Sequence, residues 1–340
     1  MVVSTAIEIR RLNKERIRSA IQQHDKCTKA DIARETALSM ATCSTTLNEM
    51  LEVGEILKVD QTGFNIGRPA DLFAYNRDYL HVLGLCTAVR GGQYVLAYAI
   101  ADAYGNVITR EEQRVETLDY DRLEKVVAAC TAQDPLIRAV GLGIPGHAQN
   151  GCIEACSIKT LEGIDFARRI QQKHEVEVLV ENDMNFIAYR LFHESPEHSG
   201  NFAAIYFPQA QDGYVGCGLI VDGHLLKGSS MLAGELSQVA RAFGVGYEQQ
   251  REILQDREAF RRFVAQMIVL VACTVSPARL TIMGNDLNAD DLQVIYNRCR
   301  EVIADPNIPQ ISINNQVFDN YIEGLVRFTL DSMLYPISIS

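Results

Sequence analysis

The sequence predicts an α/β protein: an N-terminal winged helix-turn-helix followed by a two-lobed α/β body. Three observations carry this expectation. The first 78 residues read as short amphipathic helices followed by two short strands. From residue 79 onward, apolar strands alternate with helices in two successive stretches. Several of those strands end in glycine or in an Asn-Asp pair, at the position where open α/β sheets bind ligands.

Residues 7–21 space Ile9, Leu12, Ile17 and Ile21 along one stripe, with Arg10, Arg11, Lys14, Arg16 and Arg18 between them. This is an amphipathic helix with a basic face, either a solvated surface or a phosphate contact. Residues 28–36 form a short helix with Thr28 as its cap and Ile32 and Ala33 inward. After a turn at Ala37-Leu38, Ser39 caps a helix over residues 40–52. Cys43, Leu47, Met50 and Leu51 share one face of it, and Thr42, Ser44, Thr45 and Asn48 lie opposite. Two short helices joined by a tight turn, the second with a small polar N-terminal face, make a helix-turn-helix.

Gly54 stops that helix. A strand, a turn at residues 60–63, Gly67-Arg68-Pro69 and a strand over residues 72–75 then read as a wing. Arg68 is placed to enter a DNA minor groove, the alternative being an exposed loop arginine. Thr42, Ser44 and Thr45 are the expected base-contacting side chains. Residues 40–52 contain no Lys or Arg, the residues that most often read guanine. Phosphate contacts and the wing would therefore supply much of the affinity.

Composition bounds the function. The 340 residues carry a net charge of −11. Residues 1–78 hold eleven Lys/Arg and eleven Asp/Glu, so the acidic excess belongs entirely to the rest of the chain. A neutral head on an acidic body assigns any polyanion contact to the head. No apolar run approaches the roughly 20 residues of a membrane span, and the N-terminus has no apolar signal core. A cytoplasmic protein with no membrane partner is expected. Its nine scattered cysteines read as reduced thiols.

In the body, strands are expected over residues 80–89, 93–101 and 106–115, joined at Gly91-Gly92 and Tyr104-Gly105-Asn106. A helix over 119–132, a strand over 137–144 ending in Gly143-Ile144-Pro145-Gly146, and a helix over 165–174 follow. The strand from residue 176 runs into Glu181-Asn182-Asp183, where a helix begins. Asp183 either caps that helix or points into a cleft and binds a hydroxyl. The second stretch has a strand over 202–207, a hairpin over 214–227, a small-residue loop over 228–236 holding Gly234-Glu235, and a helix over 260–275. Ser276-Pro277 breaks that helix. A strand over 280–284, a helix over 290–304, a strand over 310–313 and a helix over 316–333 complete the chain. The expected boundaries are 1–78, 79–192 and 193–315, with residues 316–340 packing back on the first lobe.

The run Glu181-Asn182-Asp183-Met184-Asn185, together with Gly143-Ile144-Pro145-Gly146, Gly234-Glu235, Ser276-Pro277, Met283-Gly284 and the Gly67-Arg68-Pro69 wing, resembles the ROK family (repressors, open reading frames, kinases). That family is a branch of the sugar-kinase and actin-like ATPase fold, itself ribonuclease H-like. The resemblance covers nearly the whole chain. It implies that Asn182 and Asp183 contact sugar hydroxyls, with Asp183 at the position of the kinases' general base. It implies that Glu235 is a further sugar contact, that Gln238 stands where the family has His, and that Gly146 belongs with the ligand-binding residues. Glu248, Glu252 and Glu258 are candidates for one more sugar-binding carboxylate.

Departures from the family pattern shape the functional expectation. Where the kinases open with Asp-x-Gly-Gly-Thr, this chain reads Leu83-Gly84-Leu85-Cys86-Thr87, and Gly91-Gly92 lies too late. The second phosphate segment reads Asp212-Gly213-Tyr214-Val215-Gly216-Cys217-Gly218, with bulk where backbone amides would approach phosphate. Phosphoryl transfer depends on positioned phosphates and metal, so neither ATP nor catalysis is expected. The family's zinc cysteines are missing between Gln238 and Gln255, so zinc, which needs four N or S ligands in a structural site, is not expected either. The expectation is a sequence-specific transcriptional regulator, a repressor, binding double-stranded operator DNA as a homodimer or dimer of dimers with a carbohydrate effector. A sugar kinase with a DNA head, and a regulator governed by a protein partner without a sugar, are the alternatives.

Overall fold

A computed structural model describes residues 6–59, 71–194 and 200–334, without the side chains of residues 6–8. The chain divides into two units. The first comprises the residues up to His81 together with Asp102–Asn106; the second comprises Val82–Ala101 and the residues from Val107 on.

The first unit contains α1 (Ala6–Gln23), β1 (Cys27–Thr28), α2 (Lys29–Thr36), α3 (Met40–Glu52), β2 (Ile56–Val59) and β3 (Leu72–Tyr75). Local chemistry sets these boundaries. Thr28 and Asp31 form a reciprocal capping box that starts α2. Ala37 adopts a left-handed conformation (φ 55°) and turns the chain. Ser39 then caps α3 by accepting the Thr42 N–H at 3.1 Å. β3 lies between β1 and β2, antiparallel to both. Ile17, Ile21, Ile32, Leu47, Met50, Ile56 and Phe73 form the core of this unit, and Ala103 joins them. Glu55 is fully buried and paired with Arg18 and Lys14, a charge tolerated only because both partners accompany it. Arg68 lies outside the described residues.

The second unit begins with β4 (His81–Arg90), β5 (Gln93–Ala101), β6 (Val107–Val115), α4 (Tyr120–Gln133) and β7 (Ile137–Ile144). The hairpin β8 (Gly146–Gln149) and β9 (Cys152–Cys156), α5 (Phe166–His174), β10 (Glu177–Asn182) and α6 (Asp183–Glu194) follow. Asp119 and Asp165 start α4 and α5 by accepting the N–H groups of Arg122 and Arg168. The strand order is β10-β7-β4-β5-β6.

The remaining elements are β11 (Phe202–Tyr206), β12 (Gly216–Val221), β13 (His224–Leu225), α7 (Leu236–Ala242), α8 (Tyr247–Gln255) and α9 (Arg257–Val275). They end with β14 (Arg279–Met283), α10 (Ala289–Arg300), β15 (Gln310–Ile313) and α11 (Val317–Leu334). The strand order is β13-β12-β11-β14-β15. Numbered within its own lobe, each sheet reads 3-2-1-4-5, so the two lobes repeat one topology. The cleft residues of the first lobe follow β7 and the edge strand β10, and Glu235 of the second follows the edge strand β13.

Helix α11 returns to the first lobe and packs on α6 and β7. Glycines make this possible by close approach. A Cβ on Gly143 of β7 would lie 2.2 Å from the Tyr321 hydroxyl, and one on Gly324 would lie 2.1 Å from the Phe186 carbonyl oxygen. The helix expected over residues 290–304 ends at Arg300, and other features also depart from the sequence reading. Helices α7 and α8 occupy a stretch to which no helix was assigned, and the second-lobe hairpin begins only at Gly216 because residues 207–215 form a loop.

Candidate functional site

Strand β10 runs parallel to β7, with Asn182 opposite Ile144. That register sets the end of β10 beside the Ile144-Pro145-Gly146 turn. The Asn182 amide donates to the Gly146 carbonyl oxygen at 2.8 Å, and its own oxygen accepts the Met184 N–H at 2.8 Å. Asn182 therefore fastens the turn to the start of α6, keeping one amide proton and one lone pair for a ligand. Gly146 has to be glycine: a Cβ there would meet the Ala155 carbonyl oxygen at 2.1 Å, within the β8–β9 pairing.

Asp183 opens α6 and accepts the Met184 N–H through one oxygen at 2.8 Å. Burial pushes its carboxyl up to about 7, and the nearby Glu235 carboxylate adds to the rise. Glu235 comes from the second lobe. Gly234 before it has φ +89°, and a Cβ there would sit 2.0 Å from the Cys217 carbonyl oxygen, so the backbone is pinned against β12. Glu235 occupies the cap position of α7 yet makes no capping bond with its side chain. Burial raises its carboxyl too, partly offset by His147. Gln238, exposed on α7, donates to the Tyr247 hydroxyl and accepts from Arg241, both at 2.8 Å.

Asn182, Asp183, Glu235, Gln238 and Gly146 all line one cleft of about 1190 Å³, with walls from both lobes. Large enough for a sugar derivative, it presents carboxyl and amide groups able to pair with hydroxyl donors and acceptors. Of the three carboxylates offered as a further sugar contact, none reaches it: the lining of α8 is Tyr247 and Arg251.

Other residues around the cleft were not read in the sequence as ligand contacts. Lys227, two residues after β13, forms a buried ion pair with Glu181, whose other oxygen accepts from the Asn182 N–H and the Asn185 side chain. A lysine after Leu225-Leu226 was its only signal. The Tyr214 and Tyr247 rings meet with centres 4.2 Å apart and planes tilted by 34°. The turn of the β4–β5 hairpin donates its Gly92 N–H to Asp212 at 3.0 Å. Cys86, in the segment aligned with the kinases' first phosphate loop, is buried within β4. Among the described residues, no group of three or more His, Cys, Asp or Glu side chains is placed to hold a metal ion.

In the first unit, Thr42, Ser44 and Thr45 lie on the accessible side of α3. Thr42 bonds to Ser39 at 2.9 Å, and Thr45 donates to the Ala41 carbonyl oxygen at 3.2 Å. Ser44 accepts from Lys29 of α2 at 3.0 Å, a cation on this face that the reading of α3 alone missed.

Residues 86–244 match the ROK family. The chain is 22% identical over 242 residues to the xylose repressor of Caldicellulosiruptor bescii, covering 69% of this chain and 60% of that protein. It is 20% identical over 242 residues to the xylose repressor of Bacillus subtilis, covering 69% and 62%. The chain thus spans less than two thirds of the length of the curated relatives it matches. Among solved structures, it is similar to a ROK family transcriptional regulator described as a homolog of the E. coli MLC protein. The TM-score is 0.65, with 16% identity and coverage of 95% of this chain and 99% of that one. It is also similar to the ROK hexokinase of Thermus thermophilus, with a TM-score of 0.58, 15% identity and coverage of 75% and 99%.

Proposed function

We propose that this chain, whose residues 86–244 match the ROK family, is a DNA-binding transcriptional repressor with a carbohydrate effector. The observation that carries the reading is the first unit. There α2, the Ala37 turn and α3 have the order of a helix-turn-helix, and β2 and β3 flank the segment read as a wing. Thr42, Ser44 and Thr45 are the base-contacting residues of this reading, with Lys29 beside them for phosphate and Arg68 for the minor groove. The names of the xylose repressors support the same reading.

Asp183 and Asn182 reach the cleft from one lobe and Glu235 and Gln238 from the other. A ligand that touches both walls favours the closed form, and only such a difference between states shifts a population. Acting as a homodimer or dimer of dimers in the cytoplasm, the protein reads two half-sites at a fixed spacing, which makes operator affinity sensitive to closure. Zinc and ATP have no part in this reading. Residues 238–255 contain no cysteine, and Tyr214 and Val215 crowd the second phosphate segment.

One observation favours phosphoryl transfer instead: Asp183 keeps an oxygen free and titrates near neutrality, as a general base requires. An ATP-coupled assay over a panel of sugars separates the two, since turnover abolished by Asp183→Asn would establish the kinase. The repressor reading is tested by selecting operators from random DNA with and without sugars. Sequence-specific binding that a sugar modulates is expected, and the absence of any specific binding overturns it.

A further inference from the structure

Helix α8 turns a cationic face to the cleft where carboxylates were expected. Tyr247 and Arg251, one helical turn apart, line the cleft, whereas the side chain of Glu248 is 86% exposed and Glu252 is exposed. The Arg251 charge is poorly neutralised. Among the described residues, Glu248 on the rim is the one carboxylate within 4 Å of it, at 3.8 Å. The Arg251 Nε is shut from solvent and has no hydrogen-bond partner, a costly state for a guanidinium N–H. Its Nη2 reaches the Tyr214 hydroxyl at 3.3 Å, and its head lies 5.5 Å from the Tyr214 ring centre. The Tyr214 and Tyr247 rings, 4.2 Å apart, form an apolar wall beside it.

We propose that the effector is an anionic carbohydrate, a sugar carrying a phosphate or a carboxylate, whose charged group binds Arg251 beside the Tyr214–Tyr247 wall. This rests on the reading of the cleft as a carbohydrate site. Different lining residues divide the work. Asp183 and Glu235, whose carboxyls burial raises, take hydroxyls. Arg251 supplies the planar fork that matches phosphate and carboxylate. Among the described residues, the other Lys and Arg side chains lining the cleft each have a carboxylate close by: Lys159 has Glu162, Arg90 has Glu112, Arg110 has Asp319 and Lys227 has Glu181.

The test is calorimetric titration of the full-length protein with glucose, glucose 6-phosphate, glucuronate and inorganic phosphate, repeated with xylose and xylonate. At least one charged sugar is expected to bind about tenfold or more tightly than its neutral parent, the scale of one charge-assisted contact. Whether the phosphate or the carboxylate series responds identifies the anion. Arg251→Gln removes the advantage and Arg251→Lys retains part of it, which separates lost charge from lost fold. The inference is overturned if neutral parents bind as tightly as charged sugars, if Arg251→Gln leaves the preference intact, or if inorganic phosphate binds as well as glucose 6-phosphate. Neutral sugars binding without a charge preference would sink this inference alone; no response to any sugar would sink the carbohydrate reading with it.

Discussion

Asp183 holds its proton more tightly in the folded protein than in the unfolded chain, with its carboxyl raised from an ordinary 3.8 to about 7. The linkage has a definite sign. Between about pH 4 and pH 7 the folded state binds more protons than the unfolded state, so this residue's contribution to stability falls as pH rises and is fully unfavourable above 7. Asp183→Asn removes that penalty. It is expected to stabilise the protein by on the order of 2 kcal/mol at pH 8 and by almost nothing near pH 4. Urea unfolding at both pH values checks this, and an equal offset at the two would refute it. Glu181 and Lys227 form a buried ion pair. Lys227→Met strands a buried carboxylate and should cost about 3 kcal/mol, whereas adding Glu181→Gln to it recovers part of the loss. Thermal melts of the single and double variants decide it. Asp183 was legible because it ends a strand and starts a helix. Lys227 was not, because its importance comes from a partner 46 positions earlier in the chain.

Elements set by local chemistry were the readable ones. Thr28 and Ser39 cap α2 and α3, and Asp119 and Asp165 cap α4 and α5, each with its own side chain, so their starts stand in the sequence. Helices α7 and α8 lack that signature: neither Glu235 nor Gly246 offers a side-chain cap to the helix it precedes, and α8 is mostly polar. They are held by packing and by Gln250, which donates to the carbonyl oxygens of Ser237 and Val245. No periodicity reports such contacts. The seat of α6 on β12 is likewise tertiary. A Cβ on Gly218 would lie 2.2 Å from the Met184 carbonyl oxygen, and backbone gives way less readily than a side chain. Gly218→Ala should therefore cost about 2–3 kcal/mol and shift the start of α6, weakening any Asp183-dependent ligand more than the stability loss alone accounts for. Measuring ligand affinity at temperatures where the variant stays folded distinguishes displacement from unfolding.

At the scale of the whole molecule, the two α/β lobes were legible as alternating strands and helices, and their shared strand order emerges only from pairing. The division into units was not legible at one point. Tyr104-Gly105-Asn106 reads correctly as the turn joining β5 to β6, yet residues 102–106 belong to the first unit. Ala103 is fully buried in that unit's core. Its N–H donates to the Arg77 carbonyl oxygen at 3.1 Å, and its carbonyl accepts from Gln22. Tyr104 meets Tyr75 edge to face at 5.1 Å. A turn's composition announces a reversal of the chain but not which core its tip enters. The consequence is a prediction about cooperativity. Ala103→Asp in the full-length protein buries an unpaired carboxylate in the first unit's core, at a cost of about 3 kcal/mol. Hydrogen exchange should then quicken in α1 and α3 while β7 and β10 keep their protection. If β7 and β10 lose protection equally, the two units unfold as one; if α1 is unaffected, Ala103 is not part of the core that holds it.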